Sequence, residues 1–161
     1  MENLDCGFTK GSKWFRYRAA AVIIENSNVL VVGNEGVDFF YSIGGGVHHG
    51  ETAEEAVLRE VFEETGVRYE IDRLLYIHEN LFKENNVPSL KGLSCHEICF
   101  YFLMKSRGSQ ELNSNSYTED GKEFMKWIPI HELKNYTVYP AFFVDKLHNI
   151  TKNIEHIITR K

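Results

Sequence analysis

The chain of 161 residues is 43% hydrophobic and 25% charged, ordinary globular values that suit one domain over 1–161 with a core of its own. Its formal net charge of -5 excludes a sequence-independent nucleic-acid binder, so a polyanionic ligand has to be admitted through metal ions or a few local cations. Cys6, Cys95 and Cys99 cannot all pair within the chain and lack zinc-ligand spacing, and neither a cleavable leader pattern nor a membrane-length apolar run is present, so a cytoplasmic protein without a membrane partner is expected.

Residues 1–13 are polar and are expected to form a loose lead-in. Trp14 to Ile24 is rich in aromatic and β-branched residues and predicts a strand, which Asn26, Ser27 and Asn28 turn into a second over Val29 to Val32. Phe39 to Ile43 predicts a short strand that delivers the chain to Gly44, Gly45 and Gly46. Thr52 with Glu55 three residues on forms a capping box, and Gly66 stops the helix that follows. On that helix, at ~100° per residue, Glu60 and Glu64 fall within about 20° of Ala53, flanked by Ala56 and Val57, with Glu63 at the edge of the face. Such a stripe normally faces the core, and like charges gathered there are costly unless a cation joins them. Oxygen ligands on a rigid element suit Mg²⁺ or Mn²⁺ better than zinc. Gly44, with Gly45, Gly46 and Gly50, lets the backbone approach such an ion or a phosphate closely. Arg59 can reach Glu63 one turn on, or hold a neighbouring carboxylate in orientation.

Beyond the helix, Tyr69 to Asn80 predicts a strand, Asn85 to Ser94 a loop, and Cys95 to Lys105 a strongly apolar central strand. Ser106 to Gly121 is the longest expected loop, and long loops in compact domains are often functional. Phe124 to Ile128 predicts a short strand, Pro129 a helical turn through Leu133, Pro140 to Ile150 a helix, and Ile154 to Thr159 a last strand. Strands on both sides of a helix, with another helix near the end, predict a mixed sheet between helices.

The stretch Gly45 to Val67 resembles the Nudix box, G-x5-E-x7-R-E-U-x-E-E-x-G-U with U aliphatic. Gly45, Glu51, Arg59, Glu60, Val61, Glu63, Glu64, Gly66 and Val67 stand at its fixed positions. The resemblance implies an α/β fold, the Nudix-type α/β/α sandwich with a mixed β-sheet, over roughly Trp14 to Ile150. It also implies a hydrolase that cuts the diphosphate of a nucleoside diphosphate linked to another group, with metal ions neutralising the phosphates while water attacks phosphorus. Glu60, Glu64 and Glu63 inherit the role of ligands to Mg²⁺ or Mn²⁺, with the Gly44 backbone beside them. Glu51 either binds a second metal or only accepts Arg59. The attacking water needs a lowered pKa or a carboxylate to take its proton. In the family that base often sits on a loop before a late strand, where this chain has Glu119, Asp120 and Glu123; Glu123 is the first choice and Glu119 the second.

Other residues carry chemistry outside the box. Glu97, in the apolar strand, needs a metal or an arginine partner, Arg16 or Arg18, unless an edge position exposes it. Arg16 and Arg18 share one strand face with Trp14, an arrangement that binds phosphate and stacks a base, or simply forms a polar outer face. Tyr139, Pro140 and Phe142 lie near where related proteins place groups against the base, and would serve equally as core. The expected partner is a small nucleotide, and a homodimer is compatible with this reading. Two rivals stand beside the enzyme: a Nudix-like binding module without turnover and a diphosphate-processing isomerase. A module without turnover has no need to retain Arg59, Glu60, Glu63 and Glu64 together. Pro88 lies further on than the ADP-ribose-type proline, and no tyrosine falls where dinucleoside polyphosphate enzymes place one, which leaves the substrate open.

Overall fold

The computed structural model of the chain describes residues 3–113, 117–118 and 121–161. In chain order its first strands are β1 (Gly7–Lys10), β2 (Lys13–Val22), β3 (Ile24–Glu25), β4 (Asn28–Asn34), β5 (Phe40–Tyr41) and β6 (Ile43–Gly46), followed by helix α1 (Ala53–Thr65). Then come β7 (Ile71–Lys83), β8 (Ser94–Met104), β9 (Tyr117–Thr118), β10 (Gly121–Pro129), β11 (Val138–Tyr139), α2 (Phe143–Lys146) and β12 (Glu155–Arg160). Short 3₁₀ segments cover Pro88–Leu90 and Ile130–Asn135.

Among the described residues the strands form two sheets. One runs β1-β2-β8-β7-β12, with β6 following β1 along the same edge of β2; the other runs β11-β5-β4-β10-β9, with β3 on β4. The first sheet is mixed: β2 with β8 and β7 with β12 are parallel, β7 with β8 antiparallel. Successive side chains of a strand point to opposite faces, and both sheets use both faces. Ala19 and Ala21 of β2 and Leu30 and Val32 of β4 pack with Ala56, Val57 and Val61 of α1. Ala20 and Val22, with Val29 and Val31, pack with Phe143 and Leu147 around α2. The two sheets therefore form one layer between α1 and α2, the α/β/α arrangement expected.

Helix α1 begins and ends where its sequence says. The Thr52 hydroxyl accepts from the Glu55 amide at 3.1 Å while the Glu55 carboxylate accepts from the Thr52 amide at 2.8 Å. Gly66 is left-handed at φ 70°, and its N–H donates to the Phe62 carbonyl. Added side-chain bulk at Gly66 meets both that conformation and the backbone of Asn113. Gly66→Ala is expected to lower unfolding stability by about 1–2 kcal/mol or more, read from a denaturant titration.

Four expectations need correction. Of the expected lead-in over 1–13, the described residues 3–13 are not loose: β1 pairs with β2, the Cys6 amide donates to the Val47 carbonyl at 2.8 Å, and the His49 amide donates to the Leu4 carbonyl at 2.6 Å. The main chain is what fastens this segment, so its polar side chains gave no sign of it. Phe39 to Ile43 is not one strand but two, β5 in the second sheet and β6 in the first, parted at the buried Ser42. Pro140 to Ile150 holds only the single turn of α2; the spacing of Phe142, Phe143, Leu147 and Ile150 reflects packing onto one cluster rather than a long helix. The Ser106 to Gly121 loop ends sooner than expected in its consequence for Glu123, which lies in β10 opposite Asn34 rather than in the loop.

Candidate active site

Arg59 is the hub of the acidic end of α1. Its guanidinium donates to both oxygens of Glu51, through Nη2 at 2.7 Å and Nε at 3.2 Å, and to Glu60 at 2.7 Å. It also donates to the Gly46 carbonyl at 3.1 Å, and a longer contact of 3.4 Å reaches the exposed Glu63. The two-point grip of Arg59, followed by the His48 amide, holds the Glu51 carboxyl below its ordinary range. Of the two roles open to Glu51, accepting Arg59 is the one seen here.

Glu60 and Glu64 turn toward the glycines. Gly45 stands so close to the Glu60 carboxylate that any Cβ there would overlap it, and the Gly44 amide donates to Glu64 at 3.2 Å. Glu123, 7% exposed, accepts from the Tyr41 hydroxyl at 3.1 Å. Burial, then the charges of Glu60 and Glu123, push the Glu64 carboxyl well above the usual range, with Arg18 and the Gly44 amide only partly offsetting them. Burial likewise raises Glu60, opposed by Arg59. Glu119 and Asp120 lie outside the described residues.

These donors suit a hard divalent cation. Glu60, Glu64 and Glu123 supply oxygen only, and the charges of Glu60 and Glu123 acting on buried Glu64 are what a cation relieves. Among the described residues no three acidic, histidine or cysteine side chains stand already converged as ligands. The physical reason lies in the partners just named: Arg59 draws Glu51, Glu60 and Glu63 toward itself, and Glu64 faces the Gly44 amide. The expected ligand set thus divides, with Glu64 near both Glu60 and Glu123 and with Glu51, Glu60 and Glu63 around Arg59.

Arg16 and Arg18 lie on the α2 side of β2. Arg16 pairs with Glu97 at 2.7 Å, and its guanidinium sits 5.3 Å from the Trp14 ring. Arg18, 7% exposed, donates to the hydroxyl of Ser42 at 2.9 Å and to its carbonyl at 2.8 Å, with the Cys99 sulfur at 3.7 Å. Ser42 is the break between the sheets, so Arg18 fastens the seam through which its charge reaches Glu60 and Glu64. Glu97 is 8% exposed in the middle strand of its sheet, which rules out the solvent-facing edge position. Burial alone would raise its carboxyl, but Arg16 and Arg18 hold it below the ordinary value. Glu97→Gln is expected to destabilise the fold by about 3 kcal/mol at neutral pH, the low end for breaking a buried pair because Arg16 is partly solvated. A carboxyl lowered by folding contributes its stability above its unfolded pKa and loses it as pH falls through the folded value. The gap between wild type and variant in urea titrations should therefore close in acid.

Beside Glu97 lies a polar row that its sequence did not announce. Asn80 stands opposite Glu97, the Thr159 hydroxyl donates to Asn80 at 2.6 Å, and His78 Nε2 lies 2.8 Å from that same oxygen. The hydroxyl proton being used, Nε2 carries the imidazole hydrogen, and burial keeps the ring neutral with a pKa of about 4. Its Nδ1 is buried without a partner among the described residues. Ser42, Tyr41, His78, Asn80 and Thr159 join this site through contacts tens of residues apart, and no local spacing marks them. Tyr139 is 40% exposed and stands edge-on to Phe39 at 5.2 Å, while Phe142 packs against His78 at 4.9 Å as part of the core. No helix among the described residues is long and apolar enough to cross a membrane.

Comparison with known proteins matches residues 15–146 to the NUDIX domain. The fold is similar to the MutT protein of Bacillus halodurans, at 18% identity and TM-score 0.67, covering 90% of each chain. It is similar also to the MutT NUDIX hydrolase of Burkholderia pseudomallei, at 21% identity and TM-score 0.65, covering 85% of this chain and 98% of that one. An ADP-ribose pyrophosphatase of Streptococcus suis matches at 16% identity and TM-score 0.55, over 89% of this chain and 98% of that one. At such identities these three likenesses speak to the fold.

Proposed function

The chain belongs to the NUDIX family of pyrophosphohydrolases, and from that membership we propose that it is a divalent-metal-dependent hydrolase cutting the diphosphate of a nucleoside diphosphate linked to another group. Nudix hydrolases generally use divalent metals. The observation that carries the reading is Glu64, buried where the charges of Glu60 and Glu123 raise its carboxyl, with Glu60 bonded in turn to the guanidinium of Arg59. A bound Mg²⁺ or Mn²⁺ would neutralise phosphate oxygens and acidify water there. Glu60 and Glu64 would hold the ion, with the Gly44 backbone close enough to join them. Glu123, oriented by the Tyr41 hydroxyl, would take the proton of the attacking water. Arg59 would keep Glu51 and Glu60 from turning into the site in the wrong orientation. Arg16 and Tyr139 would line the approach for the substrate, with Arg18 buried behind them at the Ser42 seam.

The test is a panel of nucleoside triphosphates and nucleoside diphosphates linked to sugars or to a second nucleotide, incubated with Mg²⁺, with Mn²⁺ and with chelator. The expected result is metal-dependent release of a mononucleotide from at least one class. Binding without cleavage under every metal condition would replace the enzyme by a ligand-binding module.

A further inference from the structure

Strand β12 closes one end of the first sheet. It pairs with β7 in parallel and unbroken register from Glu155 to Arg160, and among the described residues no strand pairs its other side. Just past its end the Lys161 amide donates to the Leu81 carbonyl. The main-chain groups of successive strand residues alternate in direction, so Glu155, Ile157, Thr159 and Lys161 bond to β7 while His156, Ile158 and Arg160 turn their amides and carbonyls outward. Such an edge is a template for a further strand unless a proline, a bulge or charges of one sign blunt it. Strand β12 has neither proline nor bulge, and it carries charges of both signs.

The side chains follow the same alternation. Ile157 packs into the cluster around α2 and Thr159 bonds to Asn80, whereas His156, Ile158 and Arg160 stand exposed on the α1 side, Ile158 at 61%. Charge is divided along the strand. Glu155, and the Glu79 carboxylate 2.7 Å from His156, lie toward its start. Arg160 and Lys161, at its end, enter none of the ion pairs among the described residues.

The partner that fits this edge is a second copy of the same strand. A two-fold axis perpendicular to the sheet keeps each face on its own side, so an axis through Ile158 sets Ile158 against Ile158 and His156 against Arg160 in both directions. All of these are outward-turned residues, and each pair exchanges two main-chain hydrogen bonds. The same register sets Glu155 of one copy against Lys161 of the other, and brings Arg160 up to the pair of Glu79 and His156, so the unpaired cations of each strand meet the carboxylates of its mate. An axis through Ile157 pairs the main chains equally well but sets Glu155 against Thr159 and Lys161 against Asn153, so charge selects Ile158. We propose that the protein forms a two-fold dimer through β12, which continues the first sheet across an axis at Ile158 with the α1 helices of both copies on one side. Pairing of this kind closes at two copies. A strand of six residues buries little area, so the association is weak and concentration-dependent.

Sedimentation equilibrium of the full chain over a range of concentrations reads the association, with circular dichroism to check that each variant keeps its fold. Wild type should pass from monomer to dimer and stop there. Ile158→Lys, which sets two ammonium groups against each other on the axis, should abolish the dimer over the same range. Ile158→Cys places two thiols on Cα atoms about 5.5 Å apart, within disulfide reach, so mild oxidation should give a covalent dimer. His156→Cys, with its two thiols about 14 Å apart along this ladder, and wild type, with its own half-buried Cys6, should stay uncrosslinked. A wild type that remains monomeric, a dimer that survives Ile158→Lys, cross-linking of Ile158→Cys no better than that of His156→Cys, or growth beyond two copies, as pairing of β12 with the outer edge of β1 would give, each overturns the interface.

Discussion

Glu64→Gln is expected to lower turnover by at least ~10²-fold, the loss that removing a metal ligand brings, and at the same time to raise the melting temperature of the metal-free protein. The two effects share one cause. Glu64 is partly buried against Glu60 and Glu123, and its carboxyl is pushed well above the usual range by that burial and by those charges. Neutral glutamine keeps the shape and the contact with the Gly44 amide but removes one member of the repelling set. Glu60→Gln should behave in the same direction, with a smaller thermal gain because Arg59 already compensates its charge. Differential scanning fluorimetry with chelator and with Mg²⁺, beside a steady-state assay, reads both quantities. Near-normal activity in both variants at moderate Mg²⁺ would remove the metal site from these residues.

Glu123→Gln should lower kcat by ~10²–10⁴-fold while leaving metal affinity nearly unchanged. Its position at the start of β10, opposite Asn34 and under the Tyr41 hydroxyl, fixes it more firmly than a loop residue would be. That rigidity suits a group that must meet one water in one orientation. Glu123 is also near enough to Glu64 to raise its pKa, which makes the metal titration the decisive half of the experiment. A fall in metal affinity as deep as that of Glu64→Gln would turn Glu123 from proton acceptor into ligand. Glu119→Gln, made alongside, should be mild; a deep loss there with Glu123→Gln near wild type would move the proton acceptor four residues upstream.

What could be read before the structure follows the reach of the physics. Helix α1, its Thr52 and Glu55 cap and its Gly66 stop are determined by neighbours within one or two turns, and they were legible to the residue. So was the orientation of Glu60 and Glu64, because a helical face is a matter of angle alone. The middle position of β8 showed in its apolar run over Ile98–Met104. The division at Ser42 did not, because a strand that changes sheets keeps the same local pattern on both sides. Nor did the choice of Arg16 rather than Arg18 for Glu97: the two arginines alternate identically, and only the register of β2 on β8, Arg16 opposite Glu97, distinguishes them. Tyr41 as the partner of Glu123 is of the same kind, a meeting set by sheet pairing between segments 82 residues apart.

The parallel pairing of β2 with β8 has a consequence for how the molecule comes into being. Lys13 stands opposite Ser94 and Val22 opposite Leu103, so every rung of this ladder closes a loop of about eighty residues, and β7 with β12 closes loops almost as long. Each such closure costs chain entropy before any contact returns it, which places folding toward the slow, millisecond-to-second end for domains of this kind. During synthesis β2 can pair with β1 and β6 as soon as those residues emerge, whereas its other edge waits for Ser94–Met104. For that interval the nascent sheet presents Ala19, Ala20, Ala21 and Val22 along an open strand. An unpaired apolar edge of this sort invites misassociation, so yield of the native form should depend on how quickly β8 reaches it.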